Sequence, residues 1–102
     1  MSDTLTRIKR AVIAGNVVFT DKATTERERD SLTEGDVVES IVTAVAIYKT
    51  IKSIRRAGRG REYLHVIQST NLVGVLVYSK GKLIAHGGVD TYYVFISAKR
   101  AV

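Results

Sequence analysis

The chain has 102 residues, room for one domain with one modest core, and its apolar (45%) and charged (25%) fractions are those of an ordinary globular protein. It has no cysteine, which excludes a disulfide framework, a thiol nucleophile and a thiolate metal site. The net charge of +6 is split: residues 1–39 carry 6 Lys/Arg against 8 Asp/Glu, a net of −2, and residues 40–102 carry 10 against 2, a net of +8.

Leu5, Ile8, Ala11 and Val12 recur at helical spacing and predict a helix over 3–14, stopped by Gly15-Asn16, which accept a left-handed backbone. Arg7, Lys9 and Arg10 interrupt its apolar run, so it does not read as a signal peptide. No apolar run approaches the roughly 20 residues of a bilayer span. The expectation is a soluble cytoplasmic protein. Val17–Thr20 reads as a short extended piece tucked under the core. Asp21 is a candidate cap for a short, exposed second helix over about 22–30. Thr33-x-x-Asp36 has the outline of a capping box, and Val37, Val38, Ile41, Val42 and Val45 form an apolar stripe, predicting a third helix to about Ala46.

The pattern then becomes extended. Strands are expected over 47–54, 62–69, 72–80 and 91–99. A basic hairpin loop with Gly58 and Gly60 separates the first two, and a loop or short extra strand lies near Gly81 and His86–Gly88. The fold class is α+β: two to three N-terminal helices packed on one face of a C-terminal antiparallel sheet of about four strands, in a single domain over 1–102. One sheet face stays open. If the all-apolar alternating sets, such as Val94, Ile96 and Ala98, cover the helices, the open face collects Tyr63, His65, Tyr78, Lys80, Tyr93 and Lys99.

Such a face suits RNA, because cations neutralise phosphates and aromatic rings stack unpaired bases. Between Glu39 and Glu62 the chain has six cations, Lys49, Lys52, Arg55, Arg56, Arg59 and Arg61, and no acid. With Lys80, Tyr93 and Arg100 these are the candidate RNA-binding residues. Metal-free RNA cleavage needs a group that takes the 2′-OH proton, one that protonates the leaving 5′ oxygen, and cations around the phosphorane. His65 can accept or donate a proton near pH 7, and Tyr78 or a lysine flanked by other cations can do either job, so His65 and Tyr78 are the catalytic candidates that residue type suggests. His65 also fits a partly buried sheet histidine, and Tyr78 and Tyr93 also fit plain surface packing. Gln68 and Ser69 carry little signal. The basic half has no carboxylate pair, no convincing metal-ligand set and no phosphate-cradling glycine motif, so neither a metal nor a cofactor is expected.

Three segments resemble a known family. The opening Arg7-Ile8-Lys9-Arg10-Ala11-Val12-Ile13-Ala14-Gly15-Asn16-Val17, followed by Thr20, is similar to the "I-K-x-L-V-x-x-G-x-V-x-x-T" start of MqsR-type toxins in the RelE/MqsR-like superfamily of bacterial toxin ribonucleases. Ile47-Tyr48-Lys49-Thr50 resembles that family's "F-Y-K-S" strand. Phe95-Ile96-Ser97-Ala98-Lys99-Arg100 resembles its "S-F-K" segment and the "I-S-A-R-K" terminus of the BrnT toxins. The family cleaves mRNA with a lysine, a glutamine, a tyrosine and a C-terminal lysine. By position these fall on Lys49, on or near His65, on Tyr78 and on Lys99. The family's Trp-Gln-Asp-Val-Tyr stretch is absent, and the glutamine does not carry over; Gln68 lies further along the strand. The resemblance implies a metal-independent endoribonuclease acting on mRNA, free or on the ribosome, neutralised by a cognate antitoxin. The alternatives are a non-catalytic RNA- or protein-binding module on the same fold and, less favoured, a DNA-binding accessory protein.

Overall fold

A computed structural model describes residues 3–54, 61–86 and 89–101. Helix α1 (Asp3–Ile13) buries Leu5, Ile8, Ala11 and Val12, the expected stripe. Gly15 ends it at φ +80°, where a side chain would be strained, and the Gly15 and Asn16 amides bond back to the carbonyls of Val12 and Ala11. Helix α2 (Asp21–Arg29) is capped by Thr20, whose hydroxyl accepts the Ala23 N–H; Asp21, the expected cap, is instead the first helical residue. Helix α3 (Glu34–Val42) opens on the expected box, with Thr33 and Asp36 each accepting the other's backbone N–H. It ends at Val42, short of Ala46. There Lys9 Nζ donates to the carbonyls of Val42 and Ala44, and the Thr43 hydroxyl donates to the carbonyl of Thr70, so tertiary partners replace the next helical turn.

Five strands follow from the described residues: β1 (Val17–Phe19), β2 (Lys49–Ile54), β3 (Arg61–Thr70), β4 (Leu76–His86) and β5 (Val89–Arg100). They form one mixed sheet in the order β1-β5-β4-β3-β2. Two expectations are corrected here. The sheet has a fifth strand, because Val17–Phe19 pairs parallel with Tyr93–Phe95 at the sheet edge and is not merely tucked beneath it. The stretch beyond Gly81 and Lys82, expected as a loop or a short extra strand, is the continuation of one long strand, β4.

The helices share one core with Ile67, Val77, Tyr93, Phe95 and Ala98 of the sheet. Phe19 stacks on Phe95 at 4.6 Å between centroids, and Tyr93 meets Phe95 edge-on at 5.0 Å. The first half of β5 therefore turns Tyr93 and Phe95 to the helices, against the expectation that Val94 and Ile96 would go there. Aromatic rings bury more apolar area than β-branched side chains and gain from their mutual geometry, so the aromatic set occupies the core.

Two irregularities shape the surfaces. Lys80 pairs with Ser97 and Gly81 with Phe95, so Ile96 is an extra residue and β5 is bulged. The β3–β4 ladder ends at the His65–Gly81 pair, although β4 continues against β5 to His86–Val89.

Candidate nucleic-acid interface

The sheet face away from the helices carries two adjacent cross-strand rows. In one, Gln68 of β3 is opposite Tyr78 of β4, and Tyr78 is opposite Lys99 of β5. In the other, Lys49 of β2 is opposite Val66 of β3, and Val66 is opposite Lys80 of β4. Opposed side chains in such rows start about 5 Å apart, and those two residues along start about 7 Å away, so the two rows form a single patch. Val66 is fully buried although it faces away from the helices. The side chains opposed to it are two lysines, whose aliphatic stems can cover a small apolar residue while the charges stay in water. An open depression of about 630 Å³ is lined by Gln68, Leu76, Tyr78, Lys99, Arg100 and Ala101. Within it the Lys99 ammonium lies 5.4 Å from the centroid of the Tyr78 ring, a cation–π contact.

The bulge is why Lys99 reaches this face. Strict alternation groups Lys99 with Tyr93 and Phe95, which are in the core. The extra residue Ile96 shifts the phase, so Ala98 is buried and Lys99 is exposed beside Tyr78. Helix α2 fixes that shift. Glu26 Oε1 accepts the Ser97 hydroxyl at 2.6 Å and the Ala98 N–H at 3.2 Å, and Asp30 Oδ2 accepts the Arg100 N–H at 2.9 Å. The two rows hold three lysines and no acid. They can bind an anionic chain and offer a phenol and an amide to it.

The structure brings together Lys49, Tyr78, Lys80 and Lys99, with Arg100 at the end of β5 lining the depression. Ile47 lies outside β2 and packs on the helical core, so Lys49 reaches the open face without any irregularity in β2. Four expected residues are elsewhere. Lys52 is opposite Tyr63 in the register, and both belong to the set that points to the helix side with His65. His65 is only 8% exposed, its Nδ1 is 3.2 Å from the Thr50 hydroxyl, and burial followed by the nearby Arg7 charge lowers its pKa, so it is neutral at pH 7. Tyr93 is fully buried; its hydroxyl donates to the His65 carbonyl at 3.5 Å, and burial pushes the phenol well above its usual range. Tyr63, His65 and Tyr93 thus fall on the wrong side because the aromatic set of β5, not the aliphatic one, packs against the helices.

Arg55, Arg56 and Arg59 lie outside the described residues, and Arg61 begins β3 with its side chain outside the description. Gln68 was missed in the sequence. Its signal was its alternation with Leu64 and Val66, which places it on whichever face Tyr78 occupies once those strands pair. Among the described residues no helix is long and apolar enough to cross a membrane. Compared with known protein families, with curated proteins and with solved structures, the chain finds no match.

Proposed function

We propose that this protein is a toxin-like, metal-independent endoribonuclease that cuts mRNA, free or on the ribosome, on the open face of its sheet. The observation that carries the proposal is the row Gln68–Tyr78–Lys99 with Lys49 and Lys80 beside it. These groups match the chemistry of internal phosphodiester transfer. The 2′ oxygen attacks phosphorus and loses its proton, the 5′ oxygen leaves with a proton, and the products are a 2′,3′-cyclic phosphate and a 5′-hydroxyl. Lysines stabilise the charge that grows on the phosphoryl oxygens. Tyr78 is the candidate to move a proton, and the Lys99 ammonium lies 5.4 Å from the centroid of its ring. Gln68 can hold a ribose hydroxyl or a phosphoryl oxygen through its amide. His65 has no part in this, since it lies on the helix side of the sheet. Lys49 would handle the proton at the 2′-OH. In the cytoplasm, a cognate antitoxin would cover this cationic face with acidic chain.

Incubation of a defined mRNA with the protein, followed by analysis of the new ends, tests the proposal. Cleavage that leaves 2′,3′-cyclic phosphates, lost in Lys99→Ala and in Tyr78→Phe, supports it. Salt-dependent RNA binding with no new ends would instead support the non-catalytic module.

A further inference from the structure

On the open face the row Gln68–Tyr78–Lys99 has a further row beside it, on the side away from Lys49 and Lys80. Leu76 is two residues before Tyr78 on β4 and opposite Thr70 of β3. Its carbonyl accepts the Ala101 N–H at 3.0 Å, which sets Ala101 beside it, two residues past Lys99. Across the face the order is therefore an aliphatic row, then the phenol and its ammonium, then the two lysines. Leu76 and Ala101 belong to the lining of the depression of about 630 Å³ that also holds Tyr78 and Lys99.

That lining pairs cations with apolar surface. Lys99 and Arg100 are its charged residues, with no Asp or Glu among them, and Leu76 is a large aliphatic side chain left 42% exposed. A phosphate alone would use the cations and leave the aliphatic wall in water. A nucleotide uses both, its phosphate on the ammonium and its base on Leu76. The nearby tyrosines do not compete for the base. One face of the Tyr78 ring is taken by Lys99, and Tyr93 is in the core. Tyr92 is opposite Ile84, six strand residues from Tyr78, or about 20 Å.

The order of the rows selects the nucleotide. In the transfer, the attacking 2′ oxygen and the leaving 5′ oxygen stand roughly in line on opposite sides of phosphorus. Lys49 lies on one side of the Tyr78–Lys99 row and Leu76 on the other. With the 2′-OH on the Lys49 side, the 5′ oxygen and the nucleotide that carries it are directed to Leu76. Building on the ribonuclease reading of this face, we propose that the depression seats the unpaired base of the nucleotide that follows the cut, on Leu76 and Ala101. The substrate is then single-stranded at that nucleotide, since a paired and stacked base must leave its duplex to enter.

The methyl resonances of Leu76 and Ala101 are followed on adding a single-stranded deoxyoligonucleotide, which has no 2′-OH to attack, and then the abasic sugar–phosphate chain of the same length. Both chains move the amides of Lys80 and Lys99, and only the chain with bases moves the two methyl groups. In cleavage, removing the base after the cut lowers kcat/KM at least about fivefold, the low end of what a seated base contributes, and removing the base before the cut lowers it less. Leu76 is exposed, so Leu76→Thr keeps its thermal transition near that of the wild type; it loses at least about fivefold in kcat/KM on intact RNA and little more on the abasic RNA. The proposal is overturned if both chains move the methyl groups equally or neither moves them, if the base before the cut matters more, or if Leu76→Thr still separates intact from abasic RNA as the wild type does. RNA cleavage without base-dependent methyl shifts overturns the base seat and leaves the ribonuclease standing. Base-dependent shifts in a protein that cuts no RNA overturn the ribonuclease, and the order of nucleotides with it, and support the seat.

Discussion

The Glu26 carboxylate stands where a neighbouring strand would be, accepting the backbone N–H of Ala98 at 3.2 Å. Strand β1 pairs with β5 only over Tyr93–Phe95, so the rest of that edge needs other acceptors. Glu26 of α2 and Asp30, the residue that caps its C-terminus, supply them to Ala98 and Arg100. Four residues of helix rise about 6 Å and two residues of strand about 6.7 Å, so carboxylates spaced i and i+4 meet amides spaced i and i+2. These two carboxylates thereby hold the bulge that presents Lys99 to the open face.

Glu26→Ala removes the acceptor of the Ser97 hydroxyl and the Ala98 N–H in a buried setting, and it should cost about 2–4 kcal/mol in chemical denaturation. Glu26→Gln keeps an acceptor oxygen and should cost less than half of that. Burial tends to raise the Glu26 pKa, but the hydrogen bonds from Ser97, Lys22 and Ala98 outweigh it and hold the carboxyl below its ordinary value of 4.5. A group whose folded pKa is depressed stabilises above its unfolded pKa and loses that contribution as pH falls through the folded value. The stability gap between wild type and Glu26→Gln should therefore be constant above pH 4.5 and shrink steadily below it. A gap that widens on acidification contradicts the assignment.

Gly81 lies beneath the Tyr93 ring. A Cβ there would sit 2.6 Å from Tyr93 Cζ and 2.7 Å from the Val94 carbonyl oxygen, and the backbone contact cannot be relieved by a rotamer change. Gly81→Ala should destabilise by about 1–3 kcal/mol, read from the denaturation midpoint, with the shifts of the Tyr93 ring displaced.

The turn between β3 and β4 is built on Asn71, which is 5% exposed. Its Oδ1 accepts the N–H of Val73 and of Val75, and its Nδ2 donates to Asp36 Oδ1 of the α3 capping box. Because this turn sets the pairing of Gln68 with Tyr78, Asn71→Ala should cost about 2–3 kcal/mol and also weaken RNA binding, whereas an exposed turn substitution such as Val73→Thr should do neither.

RNA affinity should fall linearly with the logarithm of salt concentration. Lys49→Ala and Lys80→Ala should each reduce the magnitude of that slope by about 0.7, the value for one phosphate contact on a single strand. Lys52→Ala, on the opposite side of β2, should leave the slope unchanged. Equal slopes for all four proteins would remove the two lysines from the interface.

Local signals were legible in the sequence. Thr33-x-x-Asp36 marked the start of α3, Gly15 marked the end of α1, and the run of β-branched and aromatic residues after Ala46 marked the sheet. What the sequence hid is non-local. A three-residue strand such as Val17–Phe19 is too short to show periodicity and exists because β5 offers an edge. Both alternating sets of β5 were apolar enough for the core, and the choice between them follows from Phe19 stacking on Phe95, a contact 76 residues apart in the chain. The bulge at Ile96 depends on Glu26, and without it alternation cannot place Lys99 and Tyr93 on opposite faces. Tyr78, Lys80 and Lys99 stood out by residue type and alternation, Lys49 by the resemblance of Ile47-Tyr48-Lys49-Thr50 to a toxin strand, whereas Gln68 needed the β3–β4 register.

The most direct test maps a short single-stranded RNA onto the assigned amide and side-chain resonances of the protein at low salt. The account requires the largest shifts at Gln68, Tyr78, Lys80 and Lys99, with those of Tyr93 and His65 little changed. Shifts confined to the helix side of the sheet, or none at all, would contradict it.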